Sequence, residues 1–154
     1  MVDQNMEQKI FLNKNRVILK FINILMKNGK KVKAEFLFRK SLKLIFLETR
    51  KDPFIIFFKA LQNILSIVTV RFIRKRGRSY QIPFPLNNKQ QLSLAIKWLI
   101  QDSRKLSKQK SSFFKILSAQ LILASQNKGD IIKRKNEFYN SARQSRPFAH
   151  FRWR

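Results

Sequence analysis

Residues 66–84 read SIVTVRFIRKRGRSYQIPF, and they interrupt a chain whose hydrophobic residues otherwise follow helical spacing. The segment 66–74 is rich in β-branched and aromatic residues, and the segment 79–84 has the composition of a returning strand. Pro83 and Pro85 are expected to end the pairing, because neither can donate a backbone hydrogen bond. The stretch therefore predicts a two-stranded β-ribbon over about residues 66–84.

Helical patterns lie on both sides of this ribbon. We predict helices over residues 16–27, 31–47 and 53–65 before it, and over 88–106, 111–126 and 130–146 after it. The predicted fold is mainly α, a single domain of about six helices with a protruding two-stranded β-ribbon between the third and fourth helices. This domain spans residues 1–154, with a short N-terminal segment at 1–15 and a C-terminal arm at 147–154.

Glycine and short polar residues mark several helix ends. Asn28-Gly29 predicts a left-handed stop after the first helix. Asp52-Pro53 predicts an N-cap and a first-turn proline for the third helix. Asp130 is expected to cap the last helix, since the residues before it break the chain.

The distribution of apolar residues predicts which helix faces are buried. Residues 16–27 are apolar on almost every side, which predicts a central, buried helix. Trp98 lies on the apolar face of the fourth helix and is expected to pack in the core. In the second helix, Phe36, Leu37, Leu44 and Phe46 are expected to face inward, and Lys33, Arg39, Lys40 and Lys43 to face outward.

The charge balance identifies the class of partner. The chain has 34 Lys and Arg residues against 8 Asp and Glu residues, a formal net charge of +26. Such a charge destabilises a compact state by self-repulsion unless a polyanion neutralises it. With 44% hydrophobic residues the chain is too apolar to be disordered. Nucleic acid is therefore the favoured partner, and an anionic membrane surface is the weaker alternative.

Catalytic chemistry has little basis in this composition. Proton transfer near neutral pH most often uses His or a perturbed carboxylate, and here His150 is the single His and the eight acids lack paired spacing. The chain has no Cys, and its three Gly cannot form a phosphate-binding loop. We expect no enzyme activity, no metal site, no cofactor and no small-molecule substrate.

Three basic patches remain as candidate binding sites. The junction of the first two helices can hold a phosphate, because Lys side chains there accompany a helix N-terminus. The ribbon tip can reach into a nucleic-acid groove. Cations at the start of the last helix lie at the wrong end of its dipole, which suggests a bound anion. The three sets are Lys30, Lys31 and Lys33; Arg74, Lys75, Arg76 and Arg78, with Tyr80 beside them; and Lys133, Arg134 and Lys135, with Arg143, Arg146, Arg152 and Arg154.

The chain ends SRPFAHFRWR over residues 145–154. Pro147 cannot continue the preceding helix, so an extended arm is expected. Arg146, Arg152 and Arg154 are expected to contact phosphates, and His150 to hydrogen-bond RNA. The aromatic residues Phe148, Phe151 and Trp153 either pack on the body or stack on bases, and the sequence leaves both open.

Two function classes fit these patches. One is a structural RNA-binding protein of a large ribonucleoprotein, and the other is a free DNA- or RNA-binding regulator of helix-turn-helix type. A regulator reads bases with one recognition helix. Basic residues spread over several elements instead suit recognition of folded RNA through its shape and phosphates. A membrane-surface protein with amphipathic helices is a third, weaker class.

The residues also resemble a known family. The segments KFINILMKNGKK (20–31), GRSYQIP (77–83), LAIKW (94–98), NKGDIIKRK (127–135) and PFAHFRW (147–153) resemble the universal small-subunit ribosomal protein number seven, in its bacterial and organellar form. The resemblance covers residues 8–153 in the order of the family. The Tyr-Gln-x-Pro strand and the final motif are its specific parts.

The resemblance implies a location in the head of the small ribosomal subunit. It implies binding to the 3′ major domain of the small-subunit RNA, nucleation of head assembly, and a position by the messenger exit channel beside small-subunit protein number eleven. It also implies that the ribbon tip, Arg76, Gly77 and Arg78, approaches the exit-site tRNA. The family's basic and aromatic motif positions fall on Lys30, Lys31, Arg74, Arg78, Tyr80, Lys133, Arg134, Lys135, His150, Arg152 and Trp153.

Departures from the family pattern refine this expectation. Arg76 replaces the first of two usual glycines at the ribbon tip, and Tyr139 replaces a common His. The start holds Asp3 and Glu7, unlike a mitochondrial transit peptide. Together with the short start and the FRWR ending, this resembles mitochondrion-encoded members. We therefore expect a protein of the mitochondrial ribosome that is encoded in the organelle.

Overall fold

A computed structural model describes residues 14–75, 77–109 and 112–153. These residues form three helices, then one β-hairpin, then further helices. The elements are α1 (Lys14–Leu25), α2 (Lys31–Thr49), α3 (Pro53–Ile64), β1 (Val68–Lys75), β2 (Arg78–Pro85), α4 (Asn88–Gln109), α5 (Phe113–Ser125), α6 (Asp130–Gln144) and a C-terminal 3-10 helix (Arg146–Trp153). The prediction of a mainly α fold with a two-stranded ribbon between the third and fourth helices is confirmed.

Most helix ends follow from local chemistry. Asn28 and Gly29 both have positive φ, 53° and 70°, and they form the left-handed stop after α1. The Asp52 carboxylate accepts a hydrogen bond of 2.9 Å from the Phe54 backbone N–H, which confirms the N-cap of α3. The predicted cap at Asp130 is wrong. Gly129 is the N-cap residue, with φ of 98°, and Asp130 is already inside the first turn of α6.

α3 and α5, not the first helix, are the central helices of the molecule. α3 packs against α2, α4, α5 and α6, and it buries side chains over more than half of its circumference. By contrast α1 leaves Leu19 49% exposed, so the prediction of a central, buried helix at residues 16–27 is wrong. An apolar residue on a surface helix carries little cost, because folded proteins expose much apolar surface.

Four phenylalanine rings join α1, α2 and α3. Phe57 lies between Phe21, Phe38 and Phe58, at ring-centroid distances of 5.2, 5.3 and 5.4 Å. The rings meet edge to face, the arrangement that their quadrupoles favour. This cluster fixes how the first three helices pack.

The inner face of α2 differs from the predicted one. Its buried residues are Ala34, Phe38, Ser41, Leu42 and Ile45. The predicted inward positions Phe36 and Phe46 are instead 55% and 49% exposed. The ring of Phe38 fills the phenylalanine cluster, and the buried Ser41 hydroxyl is satisfied by the Phe38 carbonyl at 2.7 Å. The helix is therefore rotated toward Phe38, and the cations Lys33, Arg39, Lys40 and Lys43 are exposed as predicted.

The hairpin includes both prolines and its second strand ends at Pro85. Pro83 pairs with Val70, so the prediction that Pro83 ends the pairing is wrong, whereas Pro85, which pairs with Val68, is the last residue of β2. In a two-stranded ribbon, alternate N–H groups point outward, and proline is tolerated at such edge positions. Ile82 lies on the face turned toward the body and is completely buried.

The chain after α6 forms a 3-10 helix rather than the predicted extended arm. Pro147 stands in its first turn, where a missing N–H breaks no helical bond. Three residues per turn bring Phe148 and Phe151 to one side, and both rings contact Tyr80, at 5.3 and 5.2 Å. Of the two possibilities left open for these two aromatics, the structure selects packing on the body.

Substitution of Phe57 by Ala tests the central cluster. We expect a loss of about 3–5 kcal/mol in the free energy of unfolding, since the change removes a buried ring and leaves a cavity. Phe36→Ala is the matched control, because its ring is largely exposed. Urea denaturation measures both, and equal losses would contradict the assigned orientation of α2.

Candidate nucleic-acid interface

The described part of the chain leaves most of its cations without an acidic partner. It contains two ion pairs, Lys133 with Asp130 at 3.5 Å and Arg134 with Asp102 at 2.8 Å. The whole chain carries a net charge of +26. Because exposed cations are screened but not neutralised by solvent, this surface attracts a polyanion over about a Debye length.

A cleft brings the first predicted patch together with a cation from elsewhere. Lys30 and Lys33 line an open cleft of about 450 Å³ between α2 and α4, and Arg104 of α4 also lines it. The Arg104 guanidinium donates to the Leu25 carbonyl at 2.8 Å, which holds the side chain over the end of α1. Arg104 is not among the residues predicted from the sequence, because nothing in the spacing of α4 indicates which residues of other helices lie beside it.

The N-terminus of α2 opens at this cleft. Lys30 is its N-cap residue and makes no side-chain capping bond, and no acid lies in the first turn. The first N–H groups of a helix have no intrahelical partner and carry the positive end of the helix dipole. An anion such as a phosphate is favoured at such a position. Lys31, the third predicted residue, is exposed at the start of the same helix.

A second cluster of lysines, which was also not predicted from the sequence, joins α1 and α4. It consists of Lys20, Lys89 and Lys97. The Lys20 ammonium donates to the Lys89 carbonyl at 2.8 Å. Partial burial lowers the pKa of Lys20, and repulsion from Lys89 and Lys97 lowers it further. These three cations are close enough to repel one another, so a bound polyanion would relieve the repulsion.

The hairpin presents the second predicted patch. Arg74 and Arg78 are exposed near its end, and Gly77 has φ of 77°, a conformation that favours glycine at the turn. Arg76 and the side chain of Lys75 lie outside the described residues. Tyr80 is half-buried against the C-terminal 3-10 helix, so its ring packs on the body.

The third predicted patch separates into inward and outward residues. Arg134 donates to the Asp102 carboxylate at 2.8 Å, and its guanidinium lies 5.4 Å from the centre of the buried Trp98 ring. Trp98 is 3% exposed, which confirms its predicted place in the core. Arg134 thus links α6 to α4 within the protein.

Lys135 also has a partner inside the protein. Its ammonium donates to the Asn63 carbonyl at 2.6 Å, in the last turn of α3. Burial lowers the pKa of Lys135. A cation there complements the negative end of the α3 dipole. Two of the three cations that break the dipole rule at the start of α6 are therefore explained by contacts with α4 and α3.

Lys133 and the C-terminal residues form the outward part of this patch. Lys133, Arg143, Arg146 and His150 are exposed. The His150 ring donates a hydrogen bond of 2.8 Å from Nδ1 to the Pro147 carbonyl, because a carbonyl oxygen can only accept. Arg154 and the side chains of Arg152 and Trp153 lie outside the described residues.

Other kinds of site find little support in the described residues. Within residues 14–75, 77–109 and 112–153, no three His, Cys, Asp or Glu side chains come together as metal ligands. No helix among them is long and apolar enough to span a bilayer. The described residues form a strongly cationic surface of helices and one hairpin. Such a surface suits a nucleic acid.

Comparison with known proteins gives the family. The sequence matches the family described as ribosomal protein S7p/S5e over residues 2–146. The small ribosomal subunit protein uS7m of Reclinomonas americana is 40% identical over 149 residues, 97% of this chain and 92% of the relative. The bacterial uS7 proteins of Acidithiobacillus ferrooxidans and Rhodopseudomonas palustris are 33% and 36% identical, over 91% and 90% of this chain and 88% of each relative. The chain therefore belongs to the ribosomal protein S7p/S5e family.

Family membership decides between the classes left open by the composition. The chain is a constituent of the small ribosomal subunit and not an enzyme. The resemblance read from the motifs is confirmed.

The inward position of Arg134 can be tested by substitution. Arg134→Ala leaves the Asp102 carboxylate, 15% exposed, without its partner. We expect the free energy of unfolding to fall by about 2 kcal/mol, the cost of a lost hydrogen bond to a charged group. Arg134→Lys should recover part of it, because a point charge replaces a forked donor.

Lys133→Ala is the control for this experiment. Its ion pair with Asp130 is largely exposed, and such pairs contribute about 1 kcal/mol or less. Urea denaturation and binding to ribosomal RNA are measured for all three variants. Unchanged stability of Arg134→Ala together with weakened RNA binding would contradict the internal role.

Proposed function

We propose that this protein binds the 3′ major domain of the small-subunit ribosomal RNA and nucleates folding of the subunit head. Residues 1–154 act as one ribosomal-protein domain in this role. The observation that carries the proposal is the distribution of unpaired cations over separate elements. The α2–α4 cleft, the hairpin and the C-terminal region each contribute some.

This distribution favours folded RNA over a DNA operator. A helix-turn-helix regulator concentrates its contacts on one recognition helix in a groove. Here Lys30, Arg74 and Arg143 belong to three different parts of the fold. Contacts so arranged engage phosphates of several RNA segments and hold them in one arrangement, which is what nucleation of a head domain requires.

The RNA contacts are proposed for the outward cations and for His150. The cations are Lys30, Lys31, Lys33, Arg74, Arg78, Lys133, Arg143 and Arg146. Lys75, Arg76, Arg152, Arg154 and the aromatic Trp153 are retained from the sequence. We add Arg104 and the cluster of Lys20, Lys89 and Lys97 to the proposed RNA contacts. Tyr80, Arg134 and Lys135 support the interface from within, because their side chains have partners in the protein.

The hairpin carries a second part of the proposal. Its tip, Arg76, Gly77 and Arg78, approaches the exit-site tRNA, and the protein lies by the messenger exit channel beside small-subunit protein number eleven. A narrow ribbon with a cationic end can reach a second RNA while the helical body stays on the first.

The proposed location is the mitochondrial ribosome, with the gene in the organelle. The relative that supports it is the uS7m protein of Reclinomonas americana, at 40% identity over almost the whole of both chains. Co-sedimentation of the protein with the mitochondrial small subunit tests the location. Recovery only as free protein would contradict it.

Salt dependence tests the electrostatic mechanism. If about ten phosphates are neutralised, log K for a 3′-domain RNA fragment should fall with log salt concentration with a slope of about −7 to −9. Filter binding or fluorescence anisotropy over a range of salt concentrations measures this slope. A nearly flat dependence would contradict phosphate binding.

A double substitution tests how much the hairpin contributes to phosphate binding. Arg74→Ala with Arg78→Ala should make the slope shallower by about 1.5, since two phosphate contacts are lost. Lys51→Ala with Lys59→Ala is the matched control. It removes the same charge from two exposed lysines that belong to none of the patches. Circular dichroism checks that helix content is unchanged in both.

A further inference from the structure

Phe72 is the most exposed aromatic side chain of the hairpin, with 71% of its surface accessible. It lies in the middle of β1, opposite Gln81 of β2. A phenylalanine in a strand usually packs its ring on a covering layer or on cross-strand neighbours. The ring of Phe72 therefore contributes little to holding this fold together.

The hairpin register separates two faces. Directly opposed residues point to the same side, and the side alternates along each strand. One face contains Ile82 and Tyr80, which are covered by the body and by the C-terminal 3-10 helix. The other, which we call the open face, contains Phe72 with Gln81, and Arg74 with Ser79.

The open face has the chemistry that binds a nucleotide. An exposed ring offers a stacking surface that every base can use. Arg74 lies two residues further along the same face and is itself exposed, within reach of a phosphate next to the stacked base. Gln81 is exposed beside the ring. Its side-chain oxygen accepts a hydrogen bond from the Ser145 hydroxyl at 3.5 Å, and its amide NH₂ can donate to a base edge.

From this arrangement we propose that Phe72 stacks on an unpaired nucleotide of RNA, with Arg74 on its phosphate. The proposal rests on the proposed function and names the state of the RNA that the hairpin binds. Paired bases inside an RNA helix expose only their edges, whereas an unpaired base offers its face to a ring. We therefore assign the stacked nucleotide to a single-stranded segment.

A protein partner fits the open face less well. The core of an interface between proteins is depleted in charged residues. Next to Phe72 on the open face, Arg74, Ser79 and Gln81 are exposed and polar, whereas Val70 and Pro83, the next pair away from the tip, are half-buried. One well-exposed ring next to an exposed Arg matches a base-stacking site.

Substitution of Phe72 in the full chain tests this assignment. The probes are a short oligouridylate and an RNA duplex of equal length. Phe72→Ala should weaken binding to the single strand by about 5- to 150-fold, the effect of losing one stacked base, and leave duplex binding unchanged. Phe72→Leu should behave as Phe72→Ala, because it keeps apolar bulk and removes the π face. Phe72→Trp should retain affinity.

The Phe72→Trp variant also reports stacking directly. Its added tryptophan fluorescence, after subtraction of the wild-type signal, should be quenched by the single strand and not by the duplex. Phe36→Ala is the matched control, because Phe36 is an exposed ring on α2 away from the hairpin. It should bind both probes as the wild type does.

Three results would overturn the proposal. One is full affinity of Phe72→Ala for the single strand, which would indicate that the ring contacts a neighbouring protein instead of RNA. Another is rescue by Phe72→Leu, which would indicate apolar contact without stacking. The third is an equal loss on single strand and duplex. None of these would alter the steep salt dependence expected for ribosomal RNA, so failure here is distinct from failure of the proposed function.

Discussion

Repulsion among cations is the constraint on which this structure depends. With a net charge of +26, ion pairs cannot hold the fold together, because the chain has too few acids to form them. The helices are held instead by apolar packing, in which the rings of Phe21, Phe38 and Phe57 meet within 5.3 Å of one another. Cations accordingly occupy the surface, where water and a polyanion can stabilise them. We therefore expect folding and RNA binding to be linked, since RNA would neutralise the charge repulsion that destabilises the isolated chain.

Some cations nevertheless stabilise the fold, and they show that one basic motif can contain both internal and surface residues. Lys133, Arg134 and Lys135 are consecutive in a helix, so their side chains point in three directions, 100° apart. Arg134 binds Asp102, Lys135 binds the end of α3, and Lys133 remains at the surface. A basic triplet on a helix therefore cannot present all three charges to one flat partner. The body uses two of them to orient α6, whose C-terminal end leads to the exposed part of the interface.

Much of the fold could be predicted from local signals, and the errors have a common cause. The ribbon at residues 66–84, the Asp52 cap and the Asn28-Gly29 stop depend on neighbouring residues alone. The inward face of α2 depends on which ring, Phe36 or Phe38, meets Phe21 and Phe57, and both choices satisfy the helical period approximately. The site divides in the same way. Lys30 and Arg74 could be predicted as candidate binding residues because they lie in clusters of charge along the sequence. Arg104 lines the cleft only because α4 passes beside α2.

The sequence by itself determined the element order, the polyanionic partner and the family, since these depend on composition, periodicity and motifs along the chain. Tertiary structure alone decided which groups face each other. At the end of the chain an extended arm was expected, and the structure has a 3-10 helix over Arg146–Trp153, in which Phe148 and Phe151 pack on Tyr80. Tertiary structure also left Phe72 on the open face of the ribbon. Contacts between residues distant in sequence arise only when helices pack, and no local pattern encodes their rotation.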